Sequence, residues 1–186
     1  SPNYTYTVNQ VQNYNCPKSP VTPMTNNKSE LLTSIGAMKA EGSTYINVGL
    51  VWGYRMISPE YPFQEAEPWS DPDWKKAVIV MTDGVNEANL NYSALGLSKD
   101  TNHNGQISTT ESALTVTQIE ANSTVLNNRM LDVCDELRDK HVLVYTITFD
   151  KGVNTATKNL FKQCATDPAM YYDAPDGEKL LQVYQT

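Results

Sequence analysis

The pattern of apolar and polar positions predicts strands that alternate with helices. A continuous apolar run at 77–81 and a second strand-like segment at 141–149 mark two strands, and unbroken apolarity favours a central parallel strand covered on both faces. Around them, apolar side chains recur at helical spacing. The predicted helices run from 27 to a C-terminal glycine at 42, at 46–57, at 122–140, at 155–165 and from 177 onward, with a short strand at 171–172.

This alternation implies the α/β class, with an open and mostly parallel sheet flanked by helices. Ligands of such sheets bind beyond the carboxyl ends of the strands. Asp83 follows the apolar run at 77–81 and falls at that edge. The edge after this strand is therefore the first candidate for a functional site.

Composition indicates where the domain begins, and the charge excludes two classes of partner. Residues 1–27 are polar with three closely spaced prolines, which predicts an irregular arm before a single domain at 28–186. The net charge is −7 and the basic residues are scattered, so we expect neither nucleic acid nor an anionic membrane surface as a partner. No apolar run reaches the roughly 18 residues of a membrane span. The abundance of Asn, Thr, Ser and Tyr favours a location outside the cytoplasm.

Residues 100–111 match the twelve-residue calcium loop of an EF-hand. The oxygen ligands that the pattern assigns are Asp100, Asn102, Asn104, Gln106 through its carbonyl, Ser108 through water, and Glu111. We expect one structural Ca²⁺ in a loop inserted at about 90–115, with modest affinity because few of these ligands are charged. The alternative is a polar turn-rich loop that matches by accident.

Two further segments carry a resemblance to a known family. Residues 42–47, Gly-Ser-Thr-Tyr-Ile-Asn, and 78–84, Val-Ile-Val-Met-Thr-Asp-Gly, resemble the von Willebrand factor A domain. The resemblance implies a metal-ion-dependent adhesion site in which Thr44 and Asp83 are two of the ligands. Such a hydroxyl and carboxylate are hard oxygen ligands that suit Mg²⁺, which keeps waters and leaves room for a carboxylate of the bound partner.

The chain also departs from that family. The Asp-x-Ser-x-Ser motif of the adhesion site does not occur in it, and the family's first strand and following helix are missing from its start. Two interpretations stay open. Either upstream sequence supplies these parts, or the site binds no metal and Thr44 and Asp83 cap local structure.

Four segments in order resemble more closely the C-terminal domain of TadG-like proteins of bacterial Tad (Flp-type) pilus systems. They are Cys16 with 23–25, then 49–55 with 58–59, then 80–84, and finally Cys134, 144–147, 164–165 and 171–172. The resemblance implies a protein partner, a role in pilus assembly or surface adhesion, and an extracytoplasmic location with a membrane anchor upstream of this chain.

The three cysteines predict one disulfide. Cys134 and Cys164 each fall late in a predicted helix, and both helices should pack on the same sheet. The alternative is two buried thiols. A bridge between them would leave Cys16 without a partner in this chain.

Together these patterns predict an extracytoplasmic protein-binding domain with a structural Ca²⁺. The alternative is an adhesin with a Mg²⁺ site that binds a carboxylate of its partner. In this alternative, sequence upstream of this chain completes the site. A hydrolase is least favoured, because no Ser-His-Asp arrangement or acid/base pair of carboxylates stands out, and we predict no enzymatic activity.

Overall fold

The computed structural model describes residues 17–40, 44–87 and 116–185, with the backbone alone for 116–122. The chain divides into two compact units, Ser1–Ser43 with Glu87–Ser123 and Thr44–Asn86 with Thr124–Thr186. The helices are α1 (Lys28–Gly36), α2 (Ile46–Ile57), α3 (Val116–Asp139), α4 (Thr155–Cys164) and α5 (Gly177–Val183), and the strands are β1 (Ala77–Thr82), β2 (Leu143–Phe149) and β3 (Tyr171–Ala174). No helix in these ranges is long and apolar enough to cross a membrane.

Helix α1 belongs to the first unit and begins where the sequence predicts. The side chain of Asn27 accepts hydrogen bonds from the backbone N–H groups of Ser29 and Glu30, at 3.1 and 3.3 Å, and so caps the helix. The helix ends at Gly36, so the predicted end at residue 42 is wrong. Glycine weakens a helix, and no residue of α1 is buried, so no packing supports a further turn.

The second unit contains a parallel sheet with the strand order β1-β2-β3. Val78 lies opposite Val144, and Thr146 lies opposite Tyr171, which fixes the register across all three strands. The helices predicted between the strands are present, and α2 ends just before Ser58-Pro59 as expected. These observations confirm the α/β class.

The main hydrophobic cluster of the second unit packs on the face of the sheet that carries Val78 and Val144, and Ile147 on the opposite face of β2 is also buried. Its fully or nearly buried members are Ile46, Leu50, Val78, Met130, Cys134, Leu137, Val142, Val144, Leu160, Phe161 and Cys164. They come from α2, α3 and α4 as well as from β1, β2 and the turn before β2. The apolar residues that recur at helical spacing in the predicted helix at 122–140 include Met130, Cys134 and Leu137, and all three are fully buried in α3.

A disulfide joins α3 to α4 within this core. Cys134 and Cys164 are bonded, and neither residue has any exposed surface. The predicted bridge is therefore confirmed, and the alternative of two buried thiols is wrong. Cys16 lies outside the described residues.

Strand β1 differs from its predicted place in the sheet. It lies at an edge of the described sheet, and its side chains are buried on one face only: Val78 is 9% exposed, whereas Ile79 is 58% exposed. The prediction of a central strand covered on both faces is wrong for the described part of the chain. Unbroken apolarity shows that a strand can be buried on both faces, but it does not show that both faces have a covering layer.

Candidate functional site

The candidate site begins with the turn that ends β1. The hydroxyl of Thr82 accepts a hydrogen bond from the N–H of Gly84 and donates one to its carbonyl, both at 3.2 Å. Thr82 itself is buried, whereas Asp83 between them is exposed. The turn therefore holds the Asp83 carboxylate outward at the carboxyl edge of the sheet, where the α/β fold places its ligands.

Thr44 lies next to this turn although it is far away in sequence. Its hydroxyl oxygen is 3.8 Å from the position that a Cβ atom on Gly84 would take. Thr44 precedes the first residue of α2 by two positions, so the segment that leads into α2 runs beside the turn after β1. The structure thus brings together the two residues that the family resemblance singles out.

Thr44 and Asp83 line one cavity of about 520 Å³. Its other lining residues are Tyr45, Ile46, Gly49, Val80, Met81, Thr82 and Phe149. A hydroxyl and a carboxylate in the lining of one cavity fit two positions of an oxygen-ligated cation site. Within the described ranges there is no group of three or more His, Cys, Asp or Glu side chains that could hold a metal ion. The described residues therefore fit part of a cation site.

A buried asparagine joins the two segments of this site, and the sequence pattern did not reveal it. Asn86 is 3% exposed, and its side-chain oxygen accepts a hydrogen bond of 2.8 Å from the N–H of Ile46. Its amide nitrogen donates to the side-chain oxygen of Asn127 in α3, at 3.1 Å. Tyr45, the N-cap residue of α2, makes no capping hydrogen bond with its side chain, so Asn86 caps this helix from 40 residues away.

A second set of polar side chains, joined by hydrogen bonds, lies near the carboxyl ends of β2 and β3. Thr148 is fully buried, and its hydroxyl bonds the Tyr171 hydroxyl at 2.9 Å and the Asp173 carboxylate at 3.1 Å. The other oxygen of Asp173 accepts a hydrogen bond of 2.8 Å from the Lys158 ammonium, which raises the pKa of Lys158. Both oxygens of Asp173 are engaged, so we assign this group a structural role.

Another cavity, of about 400 Å³, opens between α2 and α3. The Tyr54 hydroxyl in its wall donates to the Glu136 carboxylate at 3.5 Å, and the Tyr54 ring stacks on Trp69 with 5.8 Å between ring centroids. Partial burial, followed by the charges of Glu136 and Glu60, raises the pKa of Tyr54. This cavity shares no lining residue with the cavity that Thr44 and Asp83 line.

The predicted calcium loop, with Asp100, Asn102, Asn104, Gln106, Ser108 and Glu111, lies outside the described residues. The assignment of Ca²⁺ to residues 100–111 therefore stays a prediction.

Comparison with known proteins agrees with the fold. No family model matches the chain, and no curated protein is significantly similar to it. Proximal thread matrix protein 1 from the mussel byssus aligns with 86% of this chain at 18% identity with a TM-score of 0.51, and its second crystal form aligns with 88% at a TM-score of 0.52. The pilus adhesin SpaC from Lactobacillus rhamnosus GG aligns with 86% at 15% identity and a TM-score of 0.49.

The chain spans 30% and 31% of the two mussel structures and 20% of the SpaC chain. At such identities, the match to the mussel protein bears on the fold alone. It supports an α/β fold of the von Willebrand A-like type.

Proposed function

We propose that this chain is a protein-binding domain that works outside the cytoplasm in surface adhesion or pilus assembly, and that it is not an enzyme. One observation carries the proposal: Thr44 and Asp83 meet at one cavity on the carboxyl edge of the parallel sheet. This edge is the usual ligand site of open α/β sheets. The finer assignment to a TadG-like pilus protein rests on the sequence resemblance.

Binding is favoured over hydrolysis by the placement of a histidine. His141 lies two residues before β2, whereas Asp83 follows β1, and the two strands are parallel. The two residues therefore lie at opposite ends of the sheet, and His141 does not pair with Asp83 as a general base. The second histidine, His103, lies outside the described residues.

A divalent cation at this edge is the second part of the proposal. Asp83 and Thr44 would supply two oxygen ligands to Mg²⁺, and sequence upstream of this chain would complete the site. The ion would supply an electrophilic centre that a carboxylate of the partner could bind. Independently, Ca²⁺ at residues 100–111 would order the inserted loop.

Thermal melts of the full-length protein test both ions. A ligand at 100 times its dissociation constant adds about 2.7 kcal/mol to the folded state, so binding raises the melting temperature measurably. We expect Glu111→Gln to abolish the shift with Ca²⁺, and Asp83→Asn to abolish the shift with Mg²⁺. Glu87→Gln is the matched control, because it removes one carboxylate charge four residues after Asp83 in the sequence, from a residue that does not line the cavity.

The outcomes separate the two sites. A Ca²⁺ shift that survives Glu111→Gln would refute the assignment of calcium to residues 100–111. If Mg²⁺ leaves the melting temperature unchanged, or if Glu87→Gln reduces the shift as much as Asp83→Asn does, the cation site at Thr44 and Asp83 is refuted.

A further inference from the structure

The buried side chain of Asn86 sits between the two segments of the candidate cation site. We propose that Asn86 is a positioning residue of this site, which sets the distance between Thr44 and Asp83 and anchors both to α3 through Asn127. The inference rests on the proposed cation site at the carboxyl edge. It concerns a residue that does not line the cavity and would not touch the ion.

The two segments run side by side, and one hydrogen bond joins them. At one end the Thr44 hydroxyl lies beside Gly84, the residue after Asp83. At the other end the Ile46 N–H donates to Asn86 at 2.8 Å. The hydrogen bond between Ile46 and Asn86 therefore joins the two segments two residues beyond the point where Thr44 lies beside Gly84.

The amide of Asn86 is held in one orientation. Its oxygen faces a backbone donor on Ile46, and its nitrogen faces the side-chain oxygen of Asn127 at 3.1 Å. Turning the amide over would place donor against donor and acceptor against acceptor. The side chain is 3% exposed, so water offers little replacement for either bond. Asn86 therefore ties the paired segments to α3 in a defined geometry.

This arrangement prepares the site before an ion arrives. If Thr44 and Asp83 are already placed, binding need not order two loop segments at the same time. Without the Asn86 bonds, the segments move independently and part of the binding free energy goes into ordering them. Removal of partners that orient metal ligands typically lowers metal affinity about 10- to 100-fold.

The test measures the Mg²⁺ affinity of the full-length protein by calorimetry, together with hydrogen exchange of the Ile46 amide by NMR. We expect Asn86→Ala to weaken Mg²⁺ binding about 10-fold or more and to speed exchange of the Ile46 amide. Asn127→Ala leaves the bond to Ile46 and removes the anchor on α3, so we expect a smaller loss of affinity. In the double variant the loss should equal that of Asn86→Ala alone, because Asn127 acts through Asn86.

Asn86→Asp separates positioning from a general loss of structure. Its carboxylate offers one oxygen to the Ile46 N–H, and the second oxygen can accept from Asn127 once that amide has turned over to present its nitrogen. We therefore expect protection of the Ile46 amide and Mg²⁺ affinity both to return. Restored affinity without restored protection would show that the added charge acts alone, and it would overturn the inference.

The remaining outcomes are equally distinct. If the unaltered protein does not bind Mg²⁺, the proposed cation site fails and the inference fails with it. If the unaltered protein binds Mg²⁺ and folded Asn86→Ala binds it equally well, the inference alone is overturned. Should Asn86→Ala not fold, Asn127→Ala decides: unchanged Mg²⁺ affinity overturns the proposal, and a several-fold loss supports it.

Discussion

Removal of the disulfide between Cys134 and Cys164 should destabilise the second unit strongly. The bridge joins α3 to α4 on the buried face of the sheet, and both residues are fully buried. The perturbation is the double substitution Cys134→Ala with Cys164→Ala. Alanine leaves no polar group in the core, so the loss reports on the covalent link and on the space that the sulfur atoms filled.

The expected magnitude follows from the length of chain that the bridge closes. The two cysteines are separated by 30 residues. For a loop of this length, the loss of chain entropy in the unfolded state contributes about 3.6 kcal/mol to stability at about 25 °C. The cavity left by two buried sulfur atoms adds to the loss in the same direction. Against a typical total of about 5–15 kcal/mol, this is a quarter or more of the stability.

Urea unfolding followed by circular dichroism measures the effect. The midpoint should fall, and the slope of unfolding free energy against urea should rise because the unbridged chain exposes more surface when it unfolds. The single variant Cys134→Ala opens the same loop, so it should lose nearly as much as the double variant. Cys16→Ala is the control, since it removes the third cysteine and leaves the bridge intact.

Two results would refute this reasoning. A loss below about 1 kcal/mol in the double variant would mean that the bridge scarcely restrains the unfolded chain. A single variant as stable as the unaltered protein would mean that the covalent link contributes nothing and that packing alone holds α3 on α4.

Two other predictions follow from burial and charge. Val78→Thr should lower the free energy of unfolding by about 1–3 kcal/mol, because it places a hydroxyl in the core. Ile79→Thr changes the next residue, which lies on the exposed face, and should change this free energy by no more than about 0.5 kcal/mol. Equal losses in urea unfolding would contradict the burial pattern of β1. Partial burial of Tyr54, followed by the charges of Glu136 and Glu60, raises the pKa of its hydroxyl above 10.0. The protonated hydroxyl therefore contributes its full stabilisation below pH 10.0, and this stabilisation is lost as the pH rises through the pKa of the folded state. Tyr54→Phe should therefore flatten the fall in stability above pH 10.0, and an unchanged alkaline slope would count against the raised pKa.

Much of the fold could be predicted from local pattern because each element carries its own signal. Three local signals can each be recognised within a short stretch of sequence, and each matches an observed element. They are the apolar run of β1, the apolar residues at helical spacing in α3, and Ser58-Pro59 directly after the end of α2. The place of β1 in the sheet was not readable in this way. Its apolar residues are compatible with one covered face or two, and the number of covering layers depends on chain that is distant in sequence.

The same distinction separates the two kinds of residue at the candidate site. Thr44 and Asp83 could be found because each stands at a recognisable position in a motif. Asn86 has no such signal. The sequence of a loop does not show whether an asparagine forms its hydrogen bonds with water or with protein, and the partner Ile46 is 40 residues away. Only the fold shows that Asn86 is buried and that its amide bonds the Ile46 backbone and the Asn127 side chain of α3.

This difference predicts where substitutions at the edge will act. Loss of Asp83 removes an exposed carboxylate, so it should alter cation binding and leave the stability of the fold nearly unchanged. Loss of Asn86 leaves the buried Ile46 N–H and the partly buried Asn127 oxygen without this partner, so it should lower stability as well as affinity. A residue that supplies a ligand and a residue that positions one are thus separated by comparing the two measurements, and the sequence pattern alone identifies only the first.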